Sequence, residues 1–404
     1  MGFEWIRLDD VEICPHENAR YVQSFDHDFF TRQTLITATA ISQNARGVIW
    51  VESNWEETLN YLKFAQGAET YILVSDEYLV SDTERIYNYT KPVSYLDFKN
   101  IDRNHRYFRT YQQLVDFIED KENIKKWIFE HHTRLISMIN DSGCDLQHLY
   151  LNPYDLVNPQ KAPTITKSRT ISNAGGNFLL PLEGLHEYKH FGWALNDEMR
   201  YEDKIGAAVW RGANSGPLFD VKNKRPNRRD LVLKFSFNST HDIGLAYANY
   251  KDKNNVIGPY ILESWVKGKL STKEQLKYKY ILVVEGNEAA TNLPWVFLSN
   301  SVPIMPVPWV ETWKLESFTK PYVHFVPVKD DFDDLTDVIR WCEENEDTCK
   351  KISYQSKLFG LQFFNKLRER RLMSSVIQSY ANYLNKGERN EQSRQDTCVR
   401  IKTS

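Results

Sequence analysis

The chain has 404 residues, with 51 Lys and Arg against 54 Asp and Glu, for a net charge of −3 at neutral pH. That length holds two domains with substantial cores, and the near balance of charge leaves no footprint of a general nucleic-acid binder. The five cysteines, Cys14, Cys144, Cys342, Cys349 and Cys398, show no C-x-x-C spacing and leave one unpaired in any disulfide scheme, which fits a reducing compartment. No stretch reaches the roughly 18 apolar residues needed to cross a bilayer, and the start MGFEWIRLDDVEICPHENAR has no apolar run behind a basic end. The expectation is a cytoplasmic protein without a transmembrane segment, reaching any lipid-linked substrate by peripheral contact with a membrane surface.

In chain order, Gly47–Val51 and Tyr71–Ser75 read as strands on either side of a helix over Glu56–Gln66. Between Leu114 and Ile139, apolar residues such as Leu114, Phe117, Trp127, Ile128, Leu135 and Met138 recur at helical spacing and predict one or two amphipathic helices. Leu149–Leu151 is a short strand ending in Asn152, Pro153 and Asp155. Asn158–Gly184 is rich in Pro, Gly, Ser, Thr and Asn and predicts a loop-rich crossing between domains or the lining of a cleft. Ala207–Trp210 is a strand that runs into Arg211 and Gly212, followed by the basic loop Lys222–Arg229.

The middle of this half, Tyr278–Pro308, orders strand Tyr280–Val284, polar loop Glu285–Asn292, a short helix and strand Val302–Met305. That succession is the half-unit of a parallel α/β sheet. Ligands of such sheets bind at loops on the carboxyl ends of the strands, where helix amino-termini present free N–H groups. Gly286, Ala289 and Ala290 let the backbone approach closely, so a phosphate-bearing ligand is expected there. Tyr322–Val328 is a further strand. Asp333–Glu343 is a helix capped by Asp333 or Asp334, with Leu335, Val338, Ile339 and Cys342 on one face. Ile352–Leu384 is mostly helical, and a polar tail begins at Lys386.

Three blocks carry a resemblance: VWRGANSG with the later RRDLVL, KYKYILVVEGNEAATNLPWVFLSNSVPIMP with VETW, and PYVHFVPVKDDFDDL. Together they resemble glycosyltransferase family 90, nearer to its lipopolysaccharide- and capsule-modifying branch than to the animal protein O-glucosyltransferases. The resemblance implies an α/β GT-B architecture of two Rossmann-like domains facing a cleft. On that expectation an acceptor-side domain covers 1–190, of which 1–110 matches nothing known, a nucleotide-sugar domain covers 191–385, and 386–404 is tail. The resemblance further implies an inverting, metal-independent transfer with no cofactor, from a UDP-sugar (glucose, galactose or xylose) to a hydroxyl of a surface glycan or glycolipid.

Without a metal, guanidinium groups and helix-terminal N–H groups must receive the departing diphosphate. The resemblance assigns this to Arg211 with Gly212, and to Arg228 with Arg229 beside it; a solvated basic loop is their other reading. The turn Gly286, Asn287, Glu288, Ala289, Ala290, Thr291 and Asn292 would bind the donor through its backbone, although the protein-modifying branch has Ser and Arg where this chain has Ala290 and Asn292. Carboxylates repel a diphosphate, so Glu285, Glu288 and Glu311 are assigned to sugar or ribose hydroxyls.

Asp155 lines up with the family's catalytic base, and an ordinary aspartate is ionised at neutral pH; capping a turn beside Pro153 is its other reading. Glu183, His186 and Glu187 fall where the family's cleft lining lies, with His186 or Glu187 placed to contact the donor or acceptor, and His324 is read either as a core or cleft-edge residue or as a ligand contact. Asp331 and Asp333 have the D-x-D spacing of metal-dependent transferases and are assigned to helix capping. A protein O-glycosyltransferase and a non-catalytic nucleotide- or glycan-binding protein of the same fold are the alternatives.

Overall fold

The computed structural model describes residues 6–8, 11–13, 47–51, 70–74, 80–90, 102–119, 125–154, 158–182, 197–216, 227–247, 263–364 and 368–385. Asp155, Glu183, His186, Glu187, the helix expected over Glu56–Gln66 and the tail from Lys386 lie outside them. Strands β1 (Ile6–Leu8) and β2 (Val11–Ile13) pair antiparallel, whereas β3 (Gly47–Val51) and β4 (Thr70–Val74) pair parallel. Helix α1 (Asp82–Thr90) starts at a reciprocal cap, in which Glu84 N donates to Ser81 Oγ and Ser81 N donates to Glu84 Oε2.

The first sheet follows. It comprises β5 (Phe108–Thr110), then helices α2 (Tyr111–Glu119) and α3 (Lys126–Ser142), then β6 (His148–Leu151), β7 (Gln160–Thr166), β8 (Ser168–Thr170) and β9 (Gly175–Leu179). The order is β5-β6-β7-β9, with β5 antiparallel and the others parallel, and β8 stands apart from it. The stretch expected to be loop-rich therefore holds three strands. Its Pro and Gly residues sit where a strand tolerates them. Pro163 lies in the irregular part of β7, between the pairs Gln160↔Gly175 and Thr164↔Asn177. Gly176 packs so closely on β7 that a Cβ would stand 2.2 Å from the Ala162 carbonyl oxygen.

The second sheet runs through β10 (Ile205–Ala213), α4 (Arg228–Phe235), β11 (Asp242–Tyr247), α5 (Thr272–Gln275), β12 (Tyr278–Leu282), α6 (Leu293–Phe297) and β13 (Val302–Met305). It then continues through β14 (Val310–Thr312), β15 (Val326–Pro327), α7 (Leu335–Glu344) and α8 (Glu346–Leu361). Five strands pair in parallel in the order β11-β10-β12-β13-β15. Both faces are covered, which explains the unbroken apolar run of β12. Tyr280, Leu282 and Val284 join one buried cluster with Val302 and Ile304, and Ile281 and Val283 join another with Val296 and Phe297. The strand expected over Tyr322–Val328 shrinks to β15, because Tyr322 takes a positive φ of 58° and its N–H closes a turn onto the Phe325 carbonyl.

Two structures join the sheets. Strand β8 pairs antiparallel with β14, setting Arg169 opposite Glu311. Both side chains are fully buried: Arg169 Nε and Nη2 donate to Glu311 Oε1 at 2.9 and 2.8 Å, and Glu311 Oε2 accepts from Asn88 of α1 at 3.1 Å. The second link is helix α9 (368–385), which the sequence groups with the second domain and which packs on the first sheet. Tyr380 Oη accepts from Tyr150 N at 2.9 Å and donates to the Pro163 carbonyl at 2.8 Å, while Glu369 at the start of α9 forms a buried pair with Arg85 of α1. Among the described residues no helix is long and apolar enough to cross a membrane.

Glu311→Ala leaves Arg169 buried without its carboxylate, and the expected loss is roughly 3–5 kcal/mol of unfolding free energy. Urea denaturation measures it. The double variant Arg169→Met/Glu311→Leu should lose markedly less than the two single changes added together, since neither charge is then stranded.

Candidate active site

The strand order places β10, first in sequence, between β11 and β12. Here the connections turn to opposite sides, which is the position where open α/β sheets hold ligands outside the carboxyl ends of their strands. Two loops meet at that point: 213–216 after β10 and 283–292 after β12. Gly216 N donates to Asn287 Oδ1 at 3.0 Å, and a Cβ on Gly216 would stand 3.2 Å from the Gly286 carbonyl oxygen. Gly286 N closes the turn by donating to the Glu288 carbonyl at 2.9 Å.

Arg228 comes up beneath both loops from the first turn of α4, whose cap is Asn227 accepting from Asp230 N. Gly212 makes room for it indirectly. A Cβ there would meet the Trp210 indole at 2.4 Å, and the Arg228 guanidinium lies over that indole, 5.8 Å from a ring centroid. The guanidinium donates to the Val284 carbonyl, the Ala213 carbonyl and Ser215 Oγ, at 3.1, 3.3 and 2.8 Å. These partners are all neutral, and among the described residues no carboxylate forms an ion pair with Arg228. Burial holds its pKa down at about 10, with Tyr247 and Glu285 acting through space in the opposite direction. Its Nη2 is 2.9 Å from the position a Cβ would take on Gly286. A partly desolvated cation thus faces the turn with neutral company, a state that an arriving anion would relieve. Arg229, the next residue, is half-buried.

Arg211 does not join this group. The strand continues past Trp210 to Ala213, so Arg211 lies within β10 on a sheet face instead of in the loop beyond it. There Nη2 pairs with Asp242 Oδ1 at 2.6 Å and Nη1 donates to the Asp242 carbonyl at 2.8 Å. Its charge is already neutralised inside the sheet.

The glutamates around the turn have structural partners. Glu285 Oε1 accepts the N–H groups of Trp309 and Val310 at 2.9 and 3.0 Å, which pins the segment leading into β14. Glu288 pairs with Lys167 Nζ at 2.9 Å and accepts from Ser168 Oγ at 3.0 Å, so a cation at the carboxyl end of β7 reaches the turn after β12. Glu311, assigned to sugar hydroxyls in the sequence, has no exposed surface and spends both oxygens on Arg169, Asn88 and Ser317. Ala289 and Ala290 are buried, Asn287 and Thr291 are exposed, and Asn292 turns inward to donate from Nδ2 to the Leu282 carbonyl at 2.9 Å.

His324 sits elsewhere. It precedes β15 and so lies at the amino-terminal edge of the parallel sheet, opposite the turn. Its Nδ1 accepts from Lys320 N at 3.0 Å and its ring tilts over Phe359 at 4.9 Å. Asp333 of the D-x-D pair binds Lys234 Nζ at 2.5 Å, and Asp334, the residue before α7, makes no side-chain cap bond to the helix; its Oδ1 accepts from Lys329 N instead. Sequence reasoning passed over Lys167, Ser215, Trp210 and Asp242. Tertiary contacts bring them into play, and no spacing rule marks that.

A profile of Glycosyl transferase family 90 matches residues 188–403, just over half of the chain and all of the switch point. The chain belongs to this family. Among its relatives, O-glucosyltransferase LpsA of Dichelobacter nodosus is 33% identical over 211 residues, covering 52% of this chain and 59% of that protein. Uncharacterized protein 179R of Invertebrate iridescent virus 6 is 29% identical over 183 residues, 39% of this chain and 15% of its own length. Protein O-glucosyltransferase 3 of Rattus norvegicus is 26% identical over 189 residues, 46% of this chain and 35% of its own. The chain therefore spans less than two thirds of each of these proteins.

Two outcomes test the geometry of this family 90 member. Gly286→Ala drives a methyl into the Arg228 guanidinium and should cost about 1–3 kcal/mol of stability in urea denaturation. For His324, burial first and Lys320 second push the imidazole down to about 4. The unfolded chain takes up that proton near pH 6.5, so the stability it contributes is present above 6.5 and is lost as pH falls toward 4. His324→Gln should flatten urea-measured stability across that window relative to the parent.

Proposed function

We propose that this family 90 chain transfers a sugar from a UDP-linked donor to a hydroxyl of a surface glycan such as lipopolysaccharide or capsule, with inversion and without a metal, in a GT-B cleft between its two sheets. The observation that carries the reading is Arg228: a half-buried guanidinium that bonds neutral groups alone among the described residues, set under the glycine turn where the strand order reverses. In the proposed step the acceptor oxygen attacks the anomeric carbon as the bond to the diphosphate oxygen breaks. UDP leaves with the bonding electrons, and the acceptor proton passes to Asp155. Arg228 and the N–H groups of the Gly286–Asn292 turn stabilise the charge that grows on the leaving diphosphate, which is where fixed donors accelerate such a reaction most.

A metal-free step is consistent with Asp333 being committed to Lys234. The contact of Lys167 with Glu288 supports a cleft in which the carboxyl ends of both sheets face one another. Glucose is the first donor to try, because two of the relatives are named O-glucosyltransferases.

Calorimetry with UDP and a transfer assay with UDP-glucose, UDP-galactose and UDP-xylose test the proposal. Arg228→Gln should weaken UDP by about tenfold or more. Asp155→Asn should abolish transfer and leave UDP affinity within about twofold of the parent. Unchanged UDP affinity in the arginine variant, parent-level transfer in the aspartate variant, or strict dependence on manganese would each overturn the part of the mechanism it addresses.

A further inference from the structure

The first sheet has a recess of its own, distinct from the switch point of the second. Strand β6 leaves the sheet through Pro153 and Tyr154, its antiparallel partner β5 brings Arg106 and Arg109 alongside, and α2 and α3 close the remaining walls. The cleft measures about 780 Å³, within the roughly 300–1,000 Å³ of small-molecule sites.

Its charge is one-sided. Arg106, Arg109 and Lys125 line it, and among the described residues no carboxylate does. Arg109 Nη1 donates to the carbonyls of Arg106 and Phe108 at 3.1 and 2.6 Å, and Arg106 lies 4.5 Å over the Tyr107 ring. None of these three cations forms an ion pair among the described residues. Helix α3 begins in the same wall, and Lys125 at its cap position offers no side-chain acceptor, so the positive end of a 17-residue helix adds to the field.

Two aromatic side chains complete the wall. Trp127 and Tyr154 stand 5.9 Å apart at 73°, and both are exposed, at 38% and 48%. The His131 Nδ1 contact with the Pro153 carbonyl at 3.0 Å ties α3 to the exit of β6 and keeps the two rings adjacent. Exposed aromatic rings beside cations that have no ion-pair partner among the described residues match a flat ligand that has apolar C–H faces and a negative group. A saccharide bearing phosphate or carboxylate has both. An acidic peptide satisfies the cations but offers the rings no flat partner.

We propose that this cleft binds an anionic saccharide, its ring against Trp127 and Tyr154 and its phosphate or carboxylate held by Arg106, Arg109 and Lys125. Calling that saccharide the acceptor rests on the transferase reading above; the binding chemistry does not. Tyr154 is followed in sequence by Asp155, the proposed base, which ties the cleft to the acceptor side of the reaction.

Calorimetry on the full chain tests it, with maltose 6′-phosphate, digalacturonate, maltose and the peptide Asp-Glu-Asp-Glu as probes. Both anionic sugars, or one of them, should bind about tenfold or more tightly than maltose at low salt, with the margin narrowing as salt rises. The stronger of the two identifies the preferred anion. Arg106→Gln/Arg109→Gln should erase the preference, Arg106→Lys/Arg109→Lys should retain most of it, and Trp127→Ala should weaken all three sugars. UDP affinity should hold in every variant; where the glutamine pair does not fold, the lysine pair and Trp127→Ala carry the test. Equal binding of maltose and the charged sugars, no measurable sugar binding, a preference surviving in the glutamine pair, or a peptide binding as tightly as the sugars would overturn the proposal. Anion preference intact in a chain that transfers nothing would sink the transferase reading alone.

Discussion

The arrangement depends on a charge pair taken wholly out of water. Arg169 and Glu311 face each other across β8 and β14 with no exposed surface. Desolvating two ions is costly, and a well-packed apolar pair does as well or better for stability alone. What the ions add is direction. Arg169 can bond the Asn88 carbonyl, the Asn177 carbonyl and Glu311 together only if α1, β9 and β14 all sit in one arrangement. A slip of one residue between β8 and β14 would bury both charges unpaired, so the register joining the two sheets is set by a large penalty on every alternative.

With the sheets so registered, the switch point becomes a matter of which cations remain unpaid by carboxylates. Arg211, Lys167 and Arg169 each have a buried or half-buried partner on a facing strand or turn. Arg228 has carbonyls and a hydroxyl. Of these four cations, three therefore hold the scaffold, and Arg228 has no carboxylate partner among the described residues. Trp210, Val284 and Ser215 already fix the guanidinium, so the proposed binding of a diphosphate would require little reorganisation.

Much of the second sheet is legible in the sequence. The buried run of β12, the small-residue turn and the strand Val302–Met305 each follow from local pattern, since a parallel strand covered on both faces needs continuous apolar residues. Strand β13 falls on its expected bounds. The misreadings share a cause. The Pro- and Gly-rich stretch after Asn158 reads as loop because local propensity is blind to β7 and β9 lending each other hydrogen bonds, with Tyr380 of a distant helix serving the irregular part. Arg211 reads as a loop residue because its strand runs three residues beyond the apolar stretch. Glu285, Glu288 and Glu311 read as ligands because a carboxylate beside a small-residue turn looks the same in sequence whether it meets solvent or a buried lysine, arginine or amide. The clustering of Arg106, Arg109 and Lys125 with Trp127 and Tyr154 leaves no linear signature, for it is assembled from a strand, two helices and a strand exit.

Helix α9 has a bearing on how the molecule comes into being. The amide of Tyr150 and the carbonyl of Pro163 find their partner in Tyr380, more than two hundred positions downstream. A polypeptide emerging from the ribosome could assemble the five-stranded parallel layer as soon as α8 has been made, while the earlier-made layer still lacks the element that closes it. Until α9 follows, the Tyr150 amide and the Pro163 carbonyl of that earlier-made layer have water in place of the Tyr380 hydroxyl.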